Sequence, residues 1–585
     1  MHPSPNPGMF AAPETGAYRP TDLSQFTEAA NQLLGKMTIE EKVGQMVQVD
    51  SAALKDKEDV RRLGLGSVLS GGNSDPDQGS SPKAWRDFVL QFKSQALKTR
   101  LKIPLLYGID AVHGHNNVDG AVIFPHQIGL GASGNPGLVR LAAQITAREM
   151  AATGIRWAFS PCVAVPLNPS WGRTYEGYGD QTNLVSQLGQ AAVLGLQGES
   201  LSPSPLSILA CAKHFIGDGG TAQGIDQGDA TLDEAALRAL FLPPYKAAIK
   251  AGVGSIMVSY NSWQGTKLHC HKHLLTGVLK DELGFLGFLV SDWAAIDQIT
   301  TDYKKAVELS IMAGLDMVMI PNGPDKPNNY LVFIRHLLDL VRAGMVPEPR
   351  IDDAVRRILR VKLAMGLFDE DIPDPSLIEF VGCPAHRDAA RHCVRQSLVL
   401  IKNKDHLLPL SSSLQNIAVV GNAADDLGIQ CGGWTMDWQG GHGNIISGGT
   451  TLLNALRQKV PHGADIFYSP DASNLGHPDV VVVVLGENPY AEMKGDRQQP
   501  ALSREDHEIV SRACQTDSPV VTVLYSGRAL ILGQALTQSQ AFVAAWLPGT
   551  EGLGITDVLF GSHPFTGKLP RHWPEAQESI KKSCS

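Results

Sequence analysis

The chain has 585 residues, 43% hydrophobic and 19% charged, with a formal net charge of −9. That length exceeds one compact domain, and the composition is that of a globular chain able to bury a large core. No Lys/Arg run is long enough to track phosphates and no stretch of 18 apolar residues occurs, so neither nucleic acid nor a membrane is expected as a partner.

The first twenty residues, MHPSPNPGMFAAPETGAYRP, have no basic start and no apolar segment of the secretory kind, and three prolines fall within the first eight. A disordered lead-in over 1–26 and a cytoplasmic location are the expectations. The eight cysteines (162, 211, 270, 383, 393, 431, 514 and 584) form no CxxC pair and read as reduced thiols. Thr38-Ile-Glu-Glu41 is a capping box that opens the first clear helix. Eight short apolar runs follow: 43–49, 66–70, 103–109, 155–160, 207–215, 253–260, 287–292 and 316–320. They are nearly continuous rather than alternating, as strands buried on both faces are. Helical stretches such as 137–153, 233–250 and 329–343 lie between them, which predicts a (β/α)8 TIM-type barrel over 27–366. An acidic, proline-bearing linker is expected over 367–385. Beyond it, a helix-like segment at 386–397 precedes apolar runs at 398–403, 417–421, 481–486, 520–526 and 542–546. These predict a mainly parallel α/β sandwich domain over 386–575, with 576–585 as a tail. The basic residues of 386–397, Arg387 among them, read as a solvated helix face.

Barrel enzymes carry their chemistry at the C-terminal ends of the strands. Polar residues interrupt the apolar runs there: Asp110 after the third, Lys213-His214 after the fifth, Tyr260-Asn261 after the sixth and Asp292-Trp293 after the seventh. The loop after the fourth carries Asn168-Pro-Ser-Trp-Gly-Arg173. Carboxylates, cations, imidazole and an aromatic platform on one rim suit a neutral polyhydroxyl ligand, which needs directional hydrogen bonds and a flat face for stacking. Each residue also has a plainer reading. A Ser-Asp at a strand end can be a helix N-cap, Lys213-His214 a structural pair, and Trp434 and Trp438 core residues. His269-Cys270-His271-Lys272-His273 lacks the distant second ligand pair of a structural zinc site, so no metal is expected, and no phosphate-binding glycine loop points to a nucleotide cofactor.

LLYGIDAVHG (105–114), NPSWGRTYEGYGD (168–180), KHFIGDGG (213–220), MVSYNSWQGTKLH (257–269) and LVSDW (289–293) resemble the barrel motifs of glycoside hydrolase family 3, most of all the plant-type exo-β-glucosidases. GGWTMDWQGG (432–441) and GENPYAEMKGD (486–496) are similar to that family's substrate-covering and acid/base loops, and the resemblance runs from about 38 to 573. It implies a retaining exo-β-glucosidase acting on β-glucans or β-gluco-oligosaccharides without a cofactor. By the same resemblance Asp292 is the nucleophile and Glu492 the acid/base, preferred over Glu487 by register alone. Asp110, Arg173, Lys213, His214 and Tyr260 would hold the terminal glucosyl unit, and Trp293 and Trp438, with Trp434 nearby, would line the site of the next sugar.

A retaining glycosidase needs an ionised nucleophile and a protonated acid roughly 5–5.5 Å apart. Lys213, Arg173 or His214 would hold the pKa of Asp292 down. Two departures stand out. Gln227 occupies a position where plant members usually carry an acid, and with Ser585 as the last residue no fibronectin-type third domain is expected. A β-N-acetylhexosaminidase of the same superfamily is the nearest enzymatic rival. The loop 218–229 contains no histidine to carry that enzyme's proton. A catalytically inactive sugar-binding protein is the rival from outside enzymes.

Overall fold

The computed structural model describes residues 22–369, 373–460 and 464–574. Among these, eight short strands form the first layer structure: β1 (Val47–Asp50), β2 (Ser67–Ser70), β3 (Leu106–Ile109), β4 (Trp157–Ala158), β5 (Cys211–Phe215), β6 (Ser255–Val258), β7 (Phe288–Val290) and β8 (Val318–Ile320). All pair parallel, in the order β8-β1-β2-β3-β4 and β5-β6-β7. Bridges Trp157–Leu209 and Val290–Met317 join the two arcs into a closed barrel with strands in chain order. Every strand is buried along its length, which explains the unbroken apolar runs. Helices begin where the local signals place them. Thr38 and Glu41 make the reciprocal capping box of helix Ile39–Gln45, and Asn135 caps helix Pro136–Ala152 with proline at its first turn.

The second layer structure is a six-stranded sheet of β9 (Val399–Asn403), β10 (Asn416–Val420), β11 (Asp465–Ser469), β12 (Val480–Gly486), β13 (Val520–Tyr525) and β14 (Ala541–Trp546). Its order is β9-β14-β13-β12-β10-β11, and β9 alone runs antiparallel. Strand period explains the valine run of β12. Val480, Val482 and Val484 enter one core, while Val481, Val483 and Leu485 enter the core on the other face.

Three features differ from the sequence reading. Residues 1–21 of the expected lead-in and the whole tail 576–585 lie outside the described residues, but 23–26 form a short 3₁₀ helix. Asp22 caps it and Leu23 is buried in the barrel core, so the disorder expected up to residue 26 does not extend over 23–26. Strand β11 has no counterpart among the apolar runs. It is an edge strand whose alternate side chains face solvent, so it lacks the pattern that marks the others.

The basic face of helix Pro384–Ser397 is not solvated. Arg387 pairs with Glu551 at 3.1 Å and donates to Gly120 O at 3.0 Å, and Arg391 and Arg395 both grip Asp557, at 2.6 Å each. Two acids on or beside helix Leu553–Leu559 thus neutralise this face. Burial alone would raise the pKa of Asp557, but Arg391 and Arg395 outweigh it and hold that pKa down to about 2. On the barrel side, buried Glu149 accepts from Val122 N–H (3.0 Å) and Gly382 N–H (2.9 Å) and meets His386 at 2.8 Å. The segment between the two layer structures is tied to the barrel by these buried hydrogen bonds.

Candidate active site

A cavity of about 490 Å3 lies where the C-terminal rim of the barrel meets two loops of the second sheet domain. All ten residues singled out in the sequence line it: Asp110, Arg173, Lys213, His214, Tyr260, Asp292 and Trp293 from the barrel, and Trp434, Trp438 and Glu492 from the second domain. Glu487 does not. Its carboxylate accepts from Tyr490 Oη–H and Gly527 N–H, both at 3.0 Å, and faces Arg528 at 3.4 Å. Of these two glutamates only Glu492 reaches the cavity.

Close backbone contact brings Glu492 there. A Cβ on Gly172 would lie 2.0 Å from Glu492 O, so only glycine in the Trp171-Gly172-Arg173 turn lets the second domain's loop seat on the barrel. Asp496 fastens the same loop, accepting from Gly172 N–H and Asp226 N–H at 2.8 Å each. Glu492 itself has φ 54°, in the left-handed region that costs a non-glycine residue free energy. Such strain persists where surrounding contacts over-determine it.

Arg173 organises the floor of the cavity. Its Nε and Nη2 make a bidentate pair with buried Glu176, both at 2.9 Å, and Nη1 donates to Glu492 Oε1 at 3.1 Å. Nη2 also donates to His214 Nε2 at 3.1 Å. A guanidinium can only donate, so the His214 proton sits on Nδ1 and is given to Asp218 Oδ2 at 2.9 Å. Burial, with Arg173 and Lys213 nearby, holds His214 far below the usual imidazole pKa, so it is neutral. Lys213 pairs with Asp110 at 2.7 Å and lies over the Trp434 ring at 5.7 Å, while Trp434 Nε1 donates to Glu176.

Asp292 is placed by its own backbone. Its N–H donates to His269 Nε2 at 3.1 Å, and its Oδ1 accepts from Trp293 N–H at 2.7 Å. Tyr260 Oη donates to Trp293 O and fixes the next residue. Asp292 Oδ2 is buried in the cavity wall without a hydrogen-bond partner; the His214 ring nitrogen stands 3.6 Å away and is engaged by Arg173. One oxygen of this carboxylate is therefore held and the other is free.

Burial raises both carboxyl groups. It pushes Glu492 up to about 8 against the pull of Arg173, with Asp292 adding repulsion. It pushes Asp292 up to about 6, with Arg173, the Trp293 amide and Lys213 opposing. The expectation that cations would depress Asp292 is therefore wrong in sign. Arg173 and Lys213 do act in that direction, but their charge is shared with Glu176 and Asp110, and His214 carries none. Between about 6 and 8 the pair holds one ionised and one protonated member.

Several residues of the site have no role assigned by the sequence reading. Glu176 and Asp218 lie within quoted motifs, three and four residues from their partners Arg173 and His214, so a local signal for both is present. His269 belongs to the histidine cluster, and its Nε2 lone pair is engaged by the Asp292 amide. Gln227 lines the cavity and accepts from Gln298 at 2.8 Å through its side chain. The seven cysteines among the described residues are all free.

Residues 38–361 match the family profile described as glycosyl hydrolase family 3 N terminal domain, and 398–584 the profile of its C-terminal domain. A lysosomal beta glucosidase of Dictyostelium discoideum is 34% identical over 93% of this chain and 72% of its own. The crystal structure of an exo-1,3/1,4-beta-glucanase from a Pseudoalteromonas species superposes with a TM-score of 0.89 at 40% identity, covering 94% of this chain and 70% of that one. A beta-glucosidase from Listeria innocua in complex with glucose superposes with a TM-score of 0.82 at 28% identity, over 94% of this chain and 77% of that one.

Proposed function

The chain belongs to glycosyl hydrolase family 3, and we propose that it is a retaining, exo-acting β-glucosidase that removes terminal β-D-glucosyl units from β-glucans and their oligosaccharides. The observation that carries the reading is the pairing of a free, buried carboxylate oxygen on Asp292 with a carboxyl on Glu492 that is protonated at neutral pH. Asp292 Oδ2 attacks the anomeric carbon while Glu492 gives its proton to the leaving oxygen. A covalent glucosyl ester forms on Asp292. Glu492, now a carboxylate beside Arg173, takes a proton from water, which displaces Asp292 with overall retention. Asp110 and Lys213, with His214 and Arg173, present acceptors and donors to the hydroxyls of the terminal sugar. Hexosaminidase action is disfavoured because His214 donates to Asp218 and the loop 218–229 brings no other imidazole.

Nitrophenyl β-glucoside, β-xyloside and β-N-acetylglucosaminide separate these readings, with the glucoside hydrolysed far faster. With laminaritriose or cellotriose the early products are expected to be glucose plus disaccharide. A rapid viscosity drop with a long β-glucan would show internal cleavage and contradict exo action.

The pH profile of kcat/KM is expected to be bell-shaped, with limbs near 6 and 8. Below the lower limb Asp292 is protonated and cannot attack. Above the upper limb Glu492 has lost the proton the leaving group needs. In Glu492→Gln, assayed with a leaving group that departs unprotonated, the alkaline limb should vanish and the acid limb remain.

A further inference from the structure

The loop after β2, Gly71 to Asp75, plays no part in the chemistry above, yet it is held firmly. Asp50, buried at the end of β1, accepts from Gly71 N–H at 3.0 Å and from Ser74 Oγ–H and Ala52 N–H at 2.8 Å. Neither Gly71 nor Gly72 adopts the left-handed conformation, so backbone freedom does not account for them. Space does. A Cβ on Gly71 would lie 2.4 and 2.6 Å from Cζ3 and Cη2 of Trp293, and a Cβ on Gly72 would lie 2.5 and 2.8 Å from Cβ and Cα of Trp438. One dipeptide therefore abuts two tryptophans that arrive from different domains, one at its ring edge and the other at its backbone.

Both indoles line the catalytic cavity, and their exposure places them on its open side. Trp293 is 39% exposed and Trp438 half-buried, whereas Arg173, Lys213 and His214 are all under 5% exposed. Asp292 adjoins both groups, 3.6 Å from His214 and bonded to the Trp293 amide at 2.7 Å. On this layout the terminal sugar takes the buried polar end and the leaving sugar the indoles, whose faces suit its C–H surface. Trp293 is fixed at its backbone by Tyr260 and Asp292, while its ring edge rests on Gly71.

We propose that Gly71 and Gly72 are specificity-determining positions that act through Trp293 and Trp438 to set the width of the slot for the leaving sugar. The proposal rests on the β-glucosidase reading. A methyl group at position 71 meets the far end of a half-exposed side chain, so the ring yields and the fold survives. At position 72 it meets the backbone region of Trp438, and the second domain's loop must shift.

The test compares laminaribiose, whose leaving group is a sugar ring, with β-D-glucosyl fluoride, whose leaving group has none. For Gly71→Ala, kcat/KM on laminaribiose should fall about tenfold, mainly through KM, while the fluoride is hydrolysed within about twofold of wild type. Gly72→Ala, which must shift the loop that also carries Trp434, should lose more on laminaribiose than Gly71→Ala does. In a Trp293→Ala background Gly71→Ala should cost nothing further, because its effect passes through that ring. Equal losses on both substrates, or an undiminished Gly71→Ala effect without the indole, would overturn the assignment. If wild type hydrolysed neither substrate, the β-glucosidase reading would fail and this inference with it.

Discussion

Asp292→Asn is expected to lower turnover by about four orders of magnitude while leaving the fold intact. The amide keeps the Oδ1 acceptor for Trp293 N–H, a bond of 2.7 Å in the wild type, and places its nitrogen where Oδ2 lies, 3.6 Å from the His214 ring. What it removes is the oxygen with no hydrogen-bond partner, the one free to attack. It also removes a buried carboxylate whose pKa burial has raised, so thermal stability should hold or rise at neutral pH. The sign follows from linkage: a carboxyl with a raised native pKa costs stability once the pH exceeds the unfolded value, and asparagine is free of that cost. A 2-deoxy-2-fluoro-β-glucoside with a good leaving group should label wild type on the peptide that contains Asp292. A label on another carboxylate, or near-normal turnover in Asp292→Asn, would move the nucleophile elsewhere.

The parts of this molecule legible in the sequence are those written in local chemistry. The eight barrel strands are visible because burial on both faces forces unbroken apolar runs, and the polar residues ending those runs mark the rim. Strand β11 is hidden because an edge strand with a solvated face carries no such run. The basic residues of 384–397 look solvated because their counter-charges, Glu551 and Asp557, lie over 150 residues further along the chain. In the sequence, Glu492 is separated from Glu487 only by resemblance. The fold separates them by contact, since Tyr490, Gly527 and Arg528 claim Glu487 while Arg173 reaches Glu492 across the domain junction. The same holds for His269 and Asp496, whose tasks exist only once distant loops meet. The direction of the Asp292 pKa escapes a count of nearby cations, because that count omits both desolvation and the acids that already share those cations.

In the proposed mechanism two domains build the active site, and its two carboxyl groups have different tasks. Glu492→Ala measures both points at once. With a 2,4-dinitrophenyl β-glucoside, whose leaving group departs as its anion, the variant should form the glucosyl ester at almost the normal rate and then stall for want of a base. With cellobiose it should be nearly inactive, since that leaving oxygen needs the proton. Azide, which needs no deprotonation, should occupy the space left by the side chain and restore turnover of the activated substrate, releasing β-glucosyl azide of retained configuration. Glu487→Ala should show neither leaving-group dependence nor rescue. Rescue at position 487, or its absence at both positions, would contradict an acid/base delivered to the barrel by the second domain.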